Sequence, residues 1–260
     1  VEDSWDPKLY RKFERQRDEP FAELVNMLRA PLHDAKVVDL GCGDGRLSAR
    51  LHDIISPRST RAVDSSHAML SEAPLREGLE FVQGDLREHL ASSSWDVVFS
   101  HGALQWVDDQ RELFLQIIDS LRPGGQIAIQ MPANHDLLIH VVAREVARRP
   151  EYAEELGGYN RVLPVLDPSD YALLLADSGL EEQKVSLRVF MHRLRDAAEM
   201  ADWARGTFLT PYRRRLGEES FERFFGDYKE ALGAQIPSGQ PCWLPIKRVI
   251  MWARKPELIA

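Results

Sequence analysis

The chain has 260 residues, 44% of them hydrophobic, with 41 acidic against 33 basic side chains and a formal net charge of −8. That length suffices for one large α/β domain with its own core, and the acidic balance argues against a nucleic-acid binder, whose footprint is a basic stripe. Two cysteines make no disulfide framework, no apolar run approaches the roughly 20 residues that span a bilayer, and no apolar leader opens the chain; a cytoplasmic protein without membrane partners is expected.

Five short apolar runs read as buried strands: VVDLG (37–41), TRAVDSS (60–66), EFVQGDL (80–86), WDVVFSHG (95–102) and QIAIQMP (126–132). Between them, 47–55, 67–73 and 109–121 place apolar residues near a 3.6 period and read as helices. RPGG at 122–125 is a helix stop and turn. The alternation implies βαβ units and a parallel sheet. After Pro132 the pattern changes. Residues 134–150 read as a helix, 151–166 as a loop and 167–179 as a capped helix. Two more strands follow, KVSLRVF (184–190) and RVIMWAR (248–254), with helices near 195–207 and 217–233 and a PSGQP loop between them.

The stretch VVDLGCGDGRL (37–47) carries the first chemistry. Glycines at a strand-to-helix turn let a ligand approach backbone, because no Cβ stands in the way. Dinucleotide loops run G-x-G-x-x-G, but here Arg46 takes the last place and the glycines are Gly41, Gly43 and Gly45. Asp39 precedes the loop, where a carboxylate repels a pyrophosphate and suits a cation. Asp64 ends the next strand and is placed for ribose hydroxyls. Asp85 ends the third and is placed for an adenine amine, with Leu86 beside the ring. Acids at the carboxyl ends of successive parallel strands converge on one crevice. Other constellations fail. His135 and His140 stand five apart, off a common helical face, and no cysteine or acid set completes a metal site.

D-x-G-x-G-x-G, the acid of VDSS, GDL and the RPGG before the fifth strand together resemble class I S-adenosylmethionine-dependent methyltransferases. Further stretches resemble the trans-aconitate 2-methyltransferase family within that class: WDPKLYRKFERQRDEP (5–20), HGALQWVDD (101–109), IQMPAN (129–134) and GTFLTPY (206–212). Departures from the family pattern are Thr210 in place of an arginine, Ala133 in place of an acid, and the additional Asp18 and Glu19. Lys247 and Arg248 stand near the place of a family arginine at the last strand.

The resemblance implies a Rossmann-like, mostly parallel sheet of seven strands with an antiparallel last strand, helices on both faces and a helical cap over the acceptor site. A single domain, 1–260, is expected, with its core at 31–133, 166–192 and 241–260 and cap segments at 1–30, 134–165 and 193–240. The cofactor implied is S-adenosyl-L-methionine, leaving S-adenosyl-L-homocysteine. It would be held by Asp39, Gly41, Gly43, Gly45, Asp64, Ser65, Asp85, Leu86 and Ser100. Acceptor contacts are expected from Trp5, Tyr10, Arg11, Gln105, Trp106, Asn134, Arg205 and Tyr212. His101, directly after the fourth strand, is the candidate base. The expected reaction is esterification of a trans-aconitate-like carboxylate. Transfer to a hydroxyl, an amine or malonyl carrier protein stays open, as does cofactor binding without chemistry. A monomer or homodimer acting on a small molecule is expected, with no nucleic acid and no metal.

Overall fold

The run KVVDL forms β1 (Lys36–Leu40), which pairs in parallel with β2 (Ser59–Asp64) on one side and β4 (Trp95–His101) on the other. β3 (Leu79–Gln83) extends the sheet beyond β2, and β5 (Leu121–Pro132) lies parallel to β4. β7 (Cys242–Arg254) runs antiparallel to β5, and β6 (Glu182–Leu194) closes the order β3-β2-β1-β4-β5-β7-β6. The expected mostly parallel seven-stranded sheet with an antiparallel last strand is therefore present. These features come from a computed structural model that describes residues 15–90, 95–180, 182–237 and 240–257.

The strands have apolar side chains on both faces because both faces are covered. Val37, Val38, Leu40, Val97, Val98, Phe99, Ile127 and Ile129 are fully buried. Helices α1 (Arg15–Val25), α2 (Arg46–Ile55), α3 (His67–Leu70), α4 (Gln110–Asp119) and α7 (Pro168–Asp177) accompany the sheet. The inserted Asp18 has a local use, accepting from Arg46 at 3.2 Å and Arg50 at 3.1 Å, both on α2. These ion pairs are half exposed and add little stability.

The chain forms two compact units. The sheet unit is drawn from 15–132, 164–188 and 248–260, and the described part of the other from 133–163 and 189–247. The described part of the expected cap segment 1–30, residues 15–30, groups with the sheet. The second unit is helical, with α5 (Leu138–Ala147), α6 (Pro150–Ala153), α8 (Ala197–Arg205) and α9 (Thr210–Gly233). Its core is aromatic, with Tyr212, Phe221, Phe224 and Tyr228 all at most 1% exposed.

Several boundaries differ from the sequence reading. RPGG lies inside β5: Trp95 faces Leu121 and Val97 faces Gln126, so residues 122–125 loop out of the ladder as a bulge. α9 adds helical turns over 210–216, where Pro211 suits a helix's first turn; they meet the helix expected over 217–233 at Gly217, whose φ of 69° and ψ of 172° are non-helical. Residues 151–153, read as loop, belong with Pro150 to α6, and the helix expected over 134–150 is confined to Leu138–Ala147. β6 is also longer than the expected 184–190.

Candidate active site

The strand order reverses between β1 and β4, and ligands of open α/β sheets bind at the carboxyl ends of strands at such a switch point. β1 ends here in the glycine loop and β4 in His101–Gly102. The loop hangs on β2: the amides of Gly41 and Cys42 donate to the Val63 carbonyl at 2.8 and 2.9 Å, and that of Gly43 to the Asp64 carboxylate at 2.8 Å. The other Asp64 oxygen accepts from the Ser66 amide at 2.9 Å. Asp64 thus shapes the loop, and a carboxylate with two amide donors still has lone pairs for ribose hydroxyls. Ser65 beside it is exposed.

Gly41 has φ +78°, and a Cβ there would stand 2.1 Å from the Cβ of Ala103. Only glycine allows both that backbone and that approach, so the cofactor loop lies directly on the segment after β4. Gly43 and Gly45 also have positive φ, and Gly45 precedes α2.

Asp39 is 3% exposed. Its Oδ2 accepts from the Ser48 hydroxyl at 2.6 Å, while Oδ1 is buried with no hydrogen-bond partner among the described residues. Burial pushes its pKa up to about 7, the Asp64 charge adds to the rise and the Ser48 hydrogen bond opposes it. Such a carboxylate waits for a cation. The Cys42 thiol is likewise driven well above its ordinary range, by burial and then by Asp39 and Asp64. A thiol held neutral is a poor nucleophile, and the local potential is negative, which suits a sulfonium or ammonium and disfavours a pyrophosphate.

The other expected cofactor residues divide. Asp85 is exposed and caps the 3-10 turn Leu86–His89, accepting from the Arg87 amide at 2.9 Å. Ser100 is fully buried, its hydroxyl donating to the Leu40 carbonyl at 2.7 Å. That bond ties β4 to the end of β1.

His101 is buried, its ring edge-on to Phe21 of α1 at 5.9 Å. Gln105 folds back, its amide donating to the Gly102 carbonyl at 2.6 Å, and its Oε1 is buried with no partner among the described residues. Trp106, half-buried, closes the 3-10 turn Leu104–Trp106 that carries Gln105. Sequence reasoning missed Gln110, whose amide donates to the carbonyls of Leu104 and Val107 at 2.9 and 2.6 Å and whose Oε1 accepts from Tyr171 at 2.8 Å. It also left Gln130 and Arg248 out of the site. The Arg248 guanidinium, 5% exposed, donates to Gln130 Oε1 at 2.9 Å. Gln130 lies in the IQMPAN stretch and Arg248 near the place of a family arginine, but their meeting depends on the pairing of two strands far apart in sequence.

Asn134, Arg205 and Tyr212 belong to the helical unit. Asn134 is buried and accepts from the Lys247 amide at 2.7 Å. Arg205 is held by both oxygens of Glu222 and lies over the Phe221 and Phe225 rings. The Tyr212 hydroxyl accepts from the Arg161 amide at 3.1 Å. All three have a structural partner within the unit. Trp5, Tyr10 and Arg11 lie outside the described residues. The helical unit also has a cavity of about 280 Å³, lined by Leu137, Met200, Ile236, Trp243 and Leu244 among others. Among the described residues no charged side chain lines it. No group of three or more metal-ligating side chains occurs among the described residues, and no described helix is long and apolar enough to cross a membrane.

Comparison with known proteins identifies the family. A family model described as a methyltransferase domain matches residues 38–129. A trans-aconitate 2-methyltransferase of Deinococcus radiodurans is 36% identical over 263 residues, covering 98% of this chain and 100% of that protein. One from Escherichia coli strain SE11 is 32% identical, covering 97% of this chain and 99% of that protein. Among solved structures, the phosphoethanolamine N-methyltransferase 2 of Haemonchus contortus in complex with S-adenosyl-L-methionine superimposes with a TM-score of 0.55 at 15% identity, over 92% of this chain and 53% of that one. At that identity the structural likeness speaks for the fold alone. The near-full-length similarity, on a glycine loop that faces a buried acid, shows that this chain belongs to the trans-aconitate 2-methyltransferase family of S-adenosylmethionine-dependent methyltransferases.

Proposed function

We propose that the protein transfers a methyl group from S-adenosylmethionine to a carboxylate of trans-aconitate, giving a monomethyl ester and S-adenosylhomocysteine. The acceptor rests on the relatives named for that activity. The observation that carries the methyl-donor half is Asp39, a buried carboxylate with one oxygen unpartnered among the described residues, behind a loop whose surroundings are negative.

The residues present fit the cofactor. Asp39 would take the cationic amino end, Gly41, Gly43 and Gly45 the backbone approach, Asp64 and Ser65 the ribose, and Asp85 with Leu86 the adenine. Ser100 supports the loop from below through Leu40. S-adenosylmethionine, when bound, supplies a methyl group on a sulfonium whose thioether leaves without a proton. The remaining work is positioning and exclusion of water.

A carboxylate with an ordinary pKa near 4 is ionised at neutral pH and needs no base. His101 then serves as a wall beside the reacting groups, its buried ring set by Phe21, with Gln105 and Trp106 on the next turn. Among the remaining acceptor candidates, Tyr212 and Asn134 act through the backbone they hold. On the same reading the protein acts as a monomer or homodimer on a free small molecule in the cytoplasm, without nucleic acid. The acidic net charge of −8 supports this.

The test is S-adenosylhomocysteine release across a panel of trans-aconitate, related di- and tricarboxylates, malonyl carrier protein, phenols and amines. Turnover on trans-aconitate, with a methyl ester by mass spectrometry, is expected. Silence there with turnover on another member would transfer the assignment to that acceptor.

A further inference from the structure

Gly102 follows His101 at the carboxyl end of β4 with φ +69°. On the side where a side chain would project, the atoms of described residues other than the chain neighbours that a Cβ would meet within 4 Å are both nitrogen donors: Gln130 Nε2 at 3.5 Å and Arg248 Nη1 at 3.9 Å. The two side chains are joined, Arg248 Nη1 donating to Gln130 Oε1 at 2.9 Å. That bond orients the amide. A guanidinium has no acceptor, so the amide oxygen must face Arg248, which leaves the NH2 turned toward Gly102. Gln130 is fully buried, and its Nε2 has no hydrogen-bond partner among the described residues. A buried amide without a partner costs free energy unless a ligand satisfies it.

We propose that the space beside Gly102 is a carboxylate subsite, with Gln130 Nε2 and Arg248 Nη1 as its donors. A neighbouring amide and guanidinium make a two-point donor for a planar anion. The place fits the reaction. Gly102 adjoins Ala103, and Ala103 is the residue against which Gly41 of the cofactor loop packs. An acceptor carboxylate held here lies one residue along the chain from Ala103, on which the glycine loop packs. The sheet therefore presents a buried acid at the end of β1 and an amide–guanidinium donor pair beside Gly102, just past the end of β4. The methyl donor and the methyl acceptor have the complementary charges. This inference rests on the proposed reaction for the identity of the acceptor, and on Gly102, Gln130 and Arg248 for its place.

Two readouts on the full chain test it. In initial-rate kinetics at saturating S-adenosylmethionine, Gln130→Met should raise KM for trans-aconitate about tenfold, as loss of a hydrogen bond to a charged group does. S-adenosylhomocysteine affinity by calorimetry should stay within about threefold, since no donor to the cofactor loop is removed. Arg248→Gln should raise KM further, and Arg248→Lys should recover part of the loss, because a point charge replaces a fork. If the arginine variants do not fold, Gln130→Met decides, its fold checked by the unchanged cofactor affinity. Independently, in 15N-labelled protein saturated with S-adenosylhomocysteine, the Gln130 side-chain amide pair, assigned by its loss in Gln130→Met, should shift on titration with trans-aconitate. An amide shift without turnover would leave the subsite standing and overturn the proposed reaction. Turnover with an unmoved amide and a Gln130→Met KM within twofold of wild type would overturn the subsite and leave the reaction standing.

Discussion

The Asp64 carboxylate accepts from the backbone amide of Gly43 at 2.8 Å, which fastens the glycine loop to the end of the neighbouring strand. An acid expected at the ribose is thus also the clamp that shapes the loop. Asp64→Ala removes both of its amide bonds, to Gly43 and Ser66. S-adenosylmethionine affinity should fall about 100-fold, on the scale of two hydrogen bonds to a charged group. Asp64→Asn, which retains one carbonyl oxygen, should fall in between. Calorimetric titration checks both.

The contact of Gly41 with Ala103 gives a paired test. Gly41→Ala places a Cβ 2.1 Å from the Ala103 Cβ at φ +78°. The overlap and the strained backbone together should cost about 2–4 kcal/mol. Ala103→Gly in the same chain removes the overlap but not the strain, so the double variant should regain part of the stability, leaving a deficit of about 1 kcal/mol or more. Urea unfolding of the three variants reads this coupling.

His140 sets an acid limit on the helical unit. It is buried with its ring 3.9 Å, centroid to centroid, from Phe208. Burial, then the charges of Arg161 and Arg144, lower its pKa to about 3. A histidine depressed in the folded state takes a proton more readily when unfolded, so stability is lost as pH falls from about 6.5 toward 3. His140→Phe should narrow the fall in melting temperature between pH 6.5 and 4. The wild-type dependence persisting in the variant would show that His140 is not its source.

His101 should be dispensable for proton transfer. A carboxylate acceptor arrives ionised, so the kcat of His101→Gln should lie within about tenfold of wild type, less than the loss of a general base brings. Its rate should be flat between pH 6 and 8. A loss of a thousandfold with a new pH dependence would assign a base and an acceptor that needs one.

Much of the proposed cofactor side is legible in the sequence because its signals are local. Asp39, Asp64 and Asp85 each stand at or just past the end of a recognisable apolar run, and the glycines sit between the first run and an amphipathic helix. What the sequence hides depends on tertiary register. Gln130 and Arg248 are 118 residues apart and meet through the antiparallel pairing of β5 with β7, where Gln130 faces Ile250 and Pro132 faces Arg248. A glutamine in an apolar run reads as an exposed strand residue until its partner is placed. The Gln110 clamp on the turn after β4 likewise needs Tyr171, 61 residues away. Gly217 is the converse case: a glycine is a local stop signal, and its non-helical φ and ψ separate the helix read over 217–233 from the turns before it.

The central claim is that Asp39 is the anchor for a cationic methyl donor, and its pKa of about 7 in the absence of that donor makes the claim measurable. A raised carboxylate pKa means that Asp39 contributes stability at low pH that is lost between about 4 and 7. Unliganded Asp39→Asn should therefore melt higher than wild type at pH 8, with the gap closing toward pH 4. Binding a cation favours the ionised form. The first measurement is calorimetry of S-adenosylmethionine binding from pH 5.5 to 8.5 in buffers of different ionisation enthalpy. The expected result is affinity that rises with pH through about 7, with proton release near neutrality, and that is weak and loses this dependence in Asp39→Asn. Equal affinity in wild type and Asp39→Asn, with no proton release, would contradict the placement of the cofactor on Asp39.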